Sequence, residues 1–542
     1  MLWEEYKADI EANGLPEDVY VVGIDLGTTN SSISYWDNQN NRPEPIDISN
    51  GFGKIHLPSV VQYRAESGEW IIGEEAYRTM NIYPEDTVRS VKRKMGLNEK
   101  VMIDGQSYSP EAISAKVLSE LIQHIQSMNP NAELGGVVVS VPYGFDDAAK
   151  KATMRACELA GFKDKLICLI EEPKASALAY NIKWPLNKDE KILIFDFGGG
   201  TLDITLFHVA EKDADRIKLH VISEGGEAYH GGDNVDELLV EMCFNLIHEK
   251  NGISREEMSP ENKAEVYMRA REAKERLSGL KTFRIPFTFC IPPFMEQLTR
   301  DAFEEIIGSF IDKTTKLVKK TLREAYSGAI SPDDVDWILL EGGSSQMPWV
   351  RDMLLTIFND ESKIRESERK AQGISIGATY YAAMKMGLLT QLDIEAETVS
   401  VEFEVTAPHD VGLEIESNGR KSFFPMIRRG TPYSLAKKSH VFTLTADKPE
   451  EMTRFDLRIL ERIDKADNFE KCKLIGEVEM TGLPTRPSGK TKLRITLQVT
   501  EEGGLVSGMV EDLGLPGEIP PSEYKEHFEP DRYNVTKIGA KD

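Results

Sequence analysis

The chain has 542 residues, of which 65 are Lys or Arg and 90 are Asp or Glu, giving a formal charge of −25. Apolar residues make up 40% and charged residues 29%, a balance that builds buried cores and excludes a largely disordered chain. At roughly 150 residues per domain the length implies three or four domain-sized units, and the acidic excess argues against broad binding to a nucleic-acid backbone.

No run of about 18 apolar residues occurs, so no membrane span is expected. The start, MLWEEYKADIEANG, is acidic and lacks the basic and apolar segments of a secretory signal. The cysteines, Cys157, Cys168, Cys243, Cys290 and Cys472, have no CxxC spacing. That pattern fits reduced, buried thiols in a cytoplasmic protein better than disulfides or a zinc site.

Residues 1–18 read as a polar helical extension ending near Asn13-Gly14. From Val19 to about Met386, apolar strand-like runs alternate with amphipathic helical runs, the pattern of an α/β domain spanning 19–387. Residues 388–397 form a linker; its three leucines, in Gly387-Leu388-Leu389-Thr390-Gln391-Leu392-Asp393, should leave water by docking. From 398 to 512 the period becomes two. Val401, Phe403 and Val405 alternate with Glu402 and Glu404, and Leu493, Ile495, Leu497 and Val499 with polar neighbours. With the hairpin signal Asn418-Gly419, this predicts an all-β antiparallel sandwich. Residues 513–542 carry Gly, Pro and charges and read as a loose tail without the periodic runs of a helical lid.

Two segments echo each other. VVGIDLGTTNSSISY (21–35) and ILIFDFGGGTLDITLF (192–207) are each an apolar strand ending in Asp, a Gly/Thr turn and a second apolar strand. The repeat predicts a duplicated unit with two similar lobes. Glycine turns let backbone N–H groups approach an anion. Asp25 and Asp196, aimed at one cleft, would repel unless a cation lay between them, and Mg²⁺ with phosphates suits such oxygen donors. Asp203 on the outgoing strand can reach the same cation or its water, and Thr28, Thr29 and Thr201 add hydroxyls. A third strand, Trp337–Glu341, runs into Gly342-Gly343-Ser344 and a helix, a turn against which a base or ribose can lie.

On these residues the sequence resembles the 70-kDa heat-shock (DnaK-type) chaperones of the actin and sugar-kinase ATPase superfamily. IDLGTTNS (24–31) and FDFGGGTLD (195–203) are similar to the family's two phosphate motifs, VSVPYGFDDAAKKAT (139–153) to its first connecting segment, and IEEPKASALAY (170–180) to the segment carrying its catalytic Glu-Pro. HGGDNVDE (230–237), AREAKERLS (270–278) and EGGSSQMPWV (341–350) resemble the turn into the mobile subdomain, the adenosine-contacting helix and the adenosine motif. The sandwich resembles, more weakly, the peptide-binding subdomain.

The resemblance implies a two-lobed actin-like ATPase domain, with ATP or ADP, Mg²⁺ and a candidate K⁺ as ligands. It implies that Lys92 contacts the γ-phosphate and attacking water, that Glu172 orients the water, and that Thr201 touches the γ-phosphate. Asp25, Asp196 and Asp203 match the metal-side acids. Gly27, Thr28, Thr29 and Asn30 match the first phosphate turn, and Gly198, Gly199 and Gly200 the second. Gly231 and Gly232 match the turn beyond it. Lys274 and Ser278 match the adenosine grip, with Glu275 beside them as a further candidate contact, opposite Gly342, Gly343 and Ser344. Pro142 matches a proline that relays lobe closure. The chain departs from the pattern at Arg271 and Glu275, at Ala371, at Gln346 in place of an arginine, in its linker, and in the missing lid.

The function so implied is slow ATP hydrolysis that switches the binding of unfolded or extended protein segments, with a co-chaperone and a nucleotide-exchange factor as further partners, and no nucleic acid or membrane. The alternative is a nucleotide-dependent regulator or reactivating factor of one folded partner. An actin-like filament and a small-molecule kinase rank lower, because a sandwich obstructs polymerisation and Glu172-Pro173 points to water as the acceptor.

Overall fold

The structure is a computed structural model. It describes residues 2–48, 54–181, 187–212, 216–326, 328–366, 372–389, 392–394, 397–404, 406–417, 419–445, 453–463, 468–500, 505–515, 525–528 and 535–539. The chain divides into two compact units, Met1–Pro142 with Thr153–Glu402, and Tyr143–Ala152 with Phe403–Asp542.

The first unit opens with α1 (Trp3–Asn13), the expected N-terminal helix. Gly14, at φ 82°, ends it in a conformation that side-chain-bearing residues avoid. Tyr6 and Ile10 are buried, and the Tyr6 hydroxyl donates to the Glu133 carboxylate.

The duplication is visible as two sheets of matching topology. In the first, β1 (Val19–Asp25), β2 (Asn30–Asp37) and β3 (Arg42–Pro45) form an antiparallel meander, and β4 (Glu133–Val141) and β5 (Leu166–Glu171) add in parallel, in the order β5-β4-β1-β2-β3. The second repeats it: β6 (Lys191–Phe197), β7 (Leu202–Lys212) and β8 (Arg216–Glu227) are the meander. With the parallel strands β9 (Trp337–Glu341) and β10 (Ile364–Glu366) the order is β10-β9-β6-β7-β8. Strands covered on both faces read as continuous apolar runs, as in Val137, Val138 and Val139. The second lobe's core gathers Phe195, Phe197, Leu206, Leu239 and Trp349 around this sheet.

Helix α2 (Glu172–Asn181) follows β5 directly, and helix α6 (Gly373–Lys385) lies against both α2 and β1. Between them in sequence run α3 (Gly232–Asn251), α4 (Pro260–Gly279) and α5 (Pro348–Phe358) of the second lobe. Helix α6 packs backbone to backbone. A Cβ at Gly377 would lie 1.8 Å from the Ala175 carbonyl oxygen, and one at Gly23 would lie 2.2 Å from the Thr379 nitrogen. The Gly23 N–H instead donates to Thr379 Oγ1 at 3.0 Å.

After α6 the chain turns at Gly387, φ 76°, and the Leu388 N–H donates to the Ala383 carbonyl at 2.9 Å. The linker then forms a hairpin, β11 (Leu392–Ile394) and β12 (Glu397–Glu404), that extends the second sheet to seven strands beyond β8. The expected docking of the leucine-rich linker takes this form, with Leu388 and Leu389 partly buried. One boundary differs from expectation. The alternation at Val401 and Phe403 predicts the start of the sandwich; the strand Glu397–Glu404 pairs in the seven-stranded sheet, while the chain from Phe403 onward groups with the second unit. Alternation identifies a half-buried strand and carries no information about its pairing partner.

The second unit is a sandwich of two sheets. One has the order β14-β13-β16-β17-β21, built from β13 (Asp410–Ser417), β14 (Arg420–Ile427), β16 (Phe455–Arg462), β17 (Lys473–Thr481) and β21 (Val535–Gly539). The other has the order β15-β18-β19-β20, from β15 (Lys437–Leu444), β18 (Thr491–Val499), β19 (Val506–Asp512) and β20 (Lys525–Phe528). Gly419, at φ 72°, turns the β13–β14 hairpin as expected. Two expectations are corrected. The segment after 513 is not wholly loose: β20 and β21 complete both sheets, and Phe528 is buried where Gly508 leaves room for its ring. These strands are too short for their alternation to be legible. The sandwich is also not purely antiparallel, because β17 and β21 pair in parallel.

The segment Tyr143–Ala152 belongs to this second unit. The Tyr143 hydroxyl donates to the Thr406 carbonyl at 2.7 Å, and Asp147 Oδ1 accepts the Val506 N–H at 2.8 Å. Among the described residues no α-helix follows α6, and no helix is long and apolar enough to cross a membrane.

A methyl group separates tolerance from damage in this packing. Gly377→Ala should lower stability by about 1–3 kcal/mol through overpacking against α2. Gly308→Ala, where an added Cβ meets nothing within 4 Å, should leave it unchanged or slightly higher. Thermal unfolding of the two variants beside the parent checks the difference.

Candidate functional site

Both Gly-turn hairpins of the first unit open into one cavity of about 170 Å³. Asp25, Gly27, Thr28, Thr29 and Asn30 line it from the β1–β2 turn, and Asp196, Gly198, Gly199, Gly200 and Thr201 from the β6–β7 turn. Of the other expected residues Lys92, Glu172, Gly342 and Gly343 line it as well, and His56, Glu341 and Ile374 join them.

The hairpins meet in van der Waals contact. A Cβ at Gly199 would lie 2.4 Å from Thr29 Oγ1, and one at Gly200 would lie 2.5 Å from Thr28 Cγ2. Only hydrogen fits at either position, so glycine here is a matter of space between two chains and not only of turn geometry. The first turn is braced internally: Ser59 Oγ donates to the Gly27 carbonyl at 2.8 Å and the Gly27 N–H donates to Ser31 Oγ at 3.1 Å. The second closes through Gly198 N–H to the Thr201 carbonyl at 3.1 Å.

Gly231 and Gly232 seat α3 on the second turn. The Gly232 N–H donates to the Gly198 carbonyl at 3.0 Å, and a Cβ at Gly231 would lie 2.3 Å from the Gly199 carbonyl oxygen. The expected adenosine residues assemble beside it. A Cβ at Gly232 would lie 2.2 Å from Ser344 Oγ and 3.2 Å from Lys274 Nζ. Lys274 pairs with Asp236 at 2.8 Å and donates to the Gly232 carbonyl at 3.0 Å. Gly342, at φ 76°, presses against Asp196, where a Cβ would lie 2.8 Å from Oδ1. Ser344, Lys274, Gly231 and Gly232 do not line the 170 Å³ cavity itself. Nor do Glu275, which pairs with Arg271 at 2.9 Å, and Ser278, whose hydroxyl donates to the Lys274 carbonyl of its own helix. Arg271 in turn stacks over Tyr77, 4.6 Å from the ring centre.

The electrostatics centre on one buried ion pair. Lys92 Nζ donates to Glu172 Oε1 at 2.5 Å, and both side chains are almost fully buried. Burial alone would lower the Lys92 pKa; the charges of Glu172 and Asp25 outweigh it and hold the ammonium protonated. The aspartates have the opposite problem. Burial, with the Glu172 charge added, pushes Asp25 up to about 7, against Lys92 and a Ser140 hydroxyl that donates at 3.0 Å. Asp203 rises to about 7 for the same reasons, opposed by Lys92 and the Thr201 hydroxyl. Asp196 is driven up by burial, then by Glu172, Asp203 and Asp25. Asp203 stands directly across the hairpin from Asp196 without lining the cavity.

With Glu341, which also lines the cavity, one lysine thus stands among five carboxyl groups, an arrangement that resists a polyphosphate unless a cation joins it. The donor set fits Mg²⁺: oxygen ligands only, beside glycine turns. Among the described residues no three acidic, His or Cys side chains form a metal cage by themselves. Mg²⁺ does not require one, since it keeps water and shares phosphate oxygens.

The Hsp70 family model matches residues 21–102 and 97–512. The chain belongs to the Hsp70 family. The DnaK chaperone of Thermosipho melanesiensis is 31% identical over 507 residues, covering 91% of this chain and 78% of that protein. Those of Thermotoga maritima and Ureaplasma urealyticum serovar 10 are 31% and 32% identical over 512 and 504 residues, at 91% of this chain and 78% and 76% of theirs. The function is that of an Hsp70-type molecular chaperone. Hsp70 proteins are ATPases that use ATP and ADP with Mg²⁺.

Several residues of this Hsp70 site escaped the sequence reading. Arg93 donates to the Gly200 carbonyl at 2.5 Å and stacks on Tyr229, and Thr29 Oγ1 donates to Asp233 Oδ2 at 3.0 Å. Glu341 had a legible signal, a strand-ending acid before glycine like Asp25 and Asp196. Arg93, Asp233 and His56 had none, because only the fold brings them to the turns.

The hairpin contact gives a direct test. Gly199→Ala forces Thr29 away and should weaken ATP–Mg²⁺ binding by roughly ten- to a hundredfold, the equivalent of about 1–3 kcal/mol of overpacking. Gly198→Ala, with its nearest neighbour at 3.8 Å, should bind within about threefold of the parent by the same steric argument. Calorimetric titration of both variants decides whether this contact shapes the site.

Proposed function

We propose that this chain hydrolyses ATP, slowly, in the cavity between its two glycine turns, and that the nucleotide state sets its grip on unfolded or extended polypeptide. The observation that carries the reading is the buried Lys92–Glu172 pair placed where both turns converge. Little covalent chemistry is demanded of the protein in phosphoryl transfer; positioning and charge supply the rate.

In this reading Gly27 through Asn30 and Gly198 through Gly200 cradle the phosphates, and Lys92 and Thr201 touch the γ-phosphate. Glu172, fixed by Lys92, orients the attacking water. Asp25, Asp196 and Asp203 would hold Mg²⁺, which would supply positive charge to the phosphate oxygens, and K⁺ is a candidate second ion. Lys274, Glu275 and Ser278 grip the adenosine opposite Gly342, Gly343 and Ser344. The substitutions at Arg271, Glu275 and Gln346 make that grip differ from the family pattern. The β-sandwich unit receives the client segment, and a co-chaperone and an exchange factor act on the cycle. The five cysteines, none of them in a disulfide among the described residues, support a reducing compartment such as the cytoplasm.

Single-turnover ATP hydrolysis tests the chemistry. Asp196→Asn should slow it by about 10²- to 10³-fold, the usual effect of removing one electrostatic stabiliser. Lys92→Ala should slow it as much and also destabilise the fold by about 3–5 kcal/mol, because it strands a buried carboxylate. The double variant Lys92→Met/Glu172→Gln should recover the unfolding temperature and leave turnover low. Turnover near the parent rate in Asp196→Asn and in the double variant would show that the cavity is not the hydrolytic site.

A further inference from the structure

The second unit carries a basic, aromatic surface in an otherwise acidic protein. Residues 420–444 contain six Lys or Arg and no Asp or Glu, against a chain total of −25. This stretch supplies β14 and β15, and each is the edge strand of its sheet. The two edges are joined by an aromatic cluster. The Phe424 ring lies 5.3 Å from Phe442 and 4.8 Å from His440, and His440 lies 4.7 Å from Phe442.

Strand alternation arranges the charges around these rings. Arg420 shares a face of β14 with Phe424, and Lys438 shares a face of β15 with His440 and Phe442. Phe424 and Phe442 are half-buried, while His440, Arg420 and Lys438 are exposed. Some of the basic residues are already engaged: Lys421 pairs with Glu414 at 2.7 Å, and Arg428 lies 3.9 Å from Asp410. Arg420, Lys437 and Lys438 have no ion-pair partner among the described residues. The seam therefore offers a partly open apolar centre with an uncommitted cation toward each end, and two strand edges whose outer backbone groups can take up an extended chain.

Resting on the reading that the sandwich receives client polypeptide, we infer that its preferred client is an extended segment with an aromatic or aliphatic residue flanked by Asp or Glu. The apolar residue covers Phe424 and Phe442, and the acidic flanks meet Arg420 and Lys438. Complementary charge at the rim of an apolar contact selects partners and speeds encounter more than it deepens affinity. The rings and cations also have the character of a single-stranded nucleic-acid platform. The free strand edges favour a polypeptide, because only a peptide backbone satisfies them.

The test uses the full chain and two fluorescent peptides with one Leu/Phe core, flanked by Asp in one and by Lys in the other. Anisotropy titration at low salt should show the Asp-flanked peptide binding about tenfold tighter, with the ratio falling toward one as salt screens the rim. The charge reversal Arg420→Glu/Lys438→Glu, at exposed positions that leave folding intact, should push the ratio below one. Equal binding of both peptides, or a ratio unmoved by the reversal, overturns the acidic preference and leaves peptide binding standing. Failure of both peptides to bind removes the peptide-binding reading and this inference with it. Displacement of the Asp-flanked peptide by single-stranded DNA, with no preference between the peptides, assigns the seam to nucleic acid and overturns the proposal.

Discussion

The contact between Gly199 and Thr29, and between Gly200 and Thr28, is the constraint on which the first unit rests. Two hairpins from two copies of one sheet topology touch at their tips, where Gly199 and Gly200 leave no room for a Cβ against Thr29 and Thr28. Each lobe must hold its turn at the end of a buried strand for this to happen, which is what the parallel strands β4 and β9 behind the meanders provide. The same approach puts Asp25 and Asp196 on one cavity and brings α3, through Gly231, onto the back of the second turn.

That geometry creates an electrostatic imbalance. Asp25, Asp196 and Asp203 are walled in with Glu172 and Glu341, and a single buried lysine answers all five. A hydrophobic core of the same size would be cheaper to bury. The imbalance is comprehensible as a receptor for something cationic on one side and anionic on the other, and a magnesium nucleotide has that form.

The sequence makes the parts with local grammar readable. Apolar strand, Asp and glycine turn recur at Asp25 and Asp196 because each is built from consecutive residues. Asn13-Gly14 stops α1, and Gly419 turns a hairpin, for equally local reasons; Asn418 lies outside the described residues. What depends on pairing was not readable. Val401 and Phe403 have the alternation of a sandwich strand and sit in the other sheet, because period two says which face is buried and not which neighbour is bonded. The strands Lys525–Phe528 and Val535–Gly539 are too short to show a period, and the room for Phe528 comes from Gly508 in a strand before it. Arg93 and Asp233 sit at the turns only after folding, so no spacing announces them. Glu341 was within reach of the same rule that found the two aspartates.

The segment Tyr143–Ala152 has a temporal consequence. It leaves the ribosome long before the sandwich strands it joins, and Asp147 waits for the Val506 N–H until more than half of the chain has followed. The second unit therefore cannot close during synthesis of its own strands alone. Its completion is deferred until an early piece and a late piece are both available, and a nascent first unit must carry acidic side chains whose final partners do not yet exist.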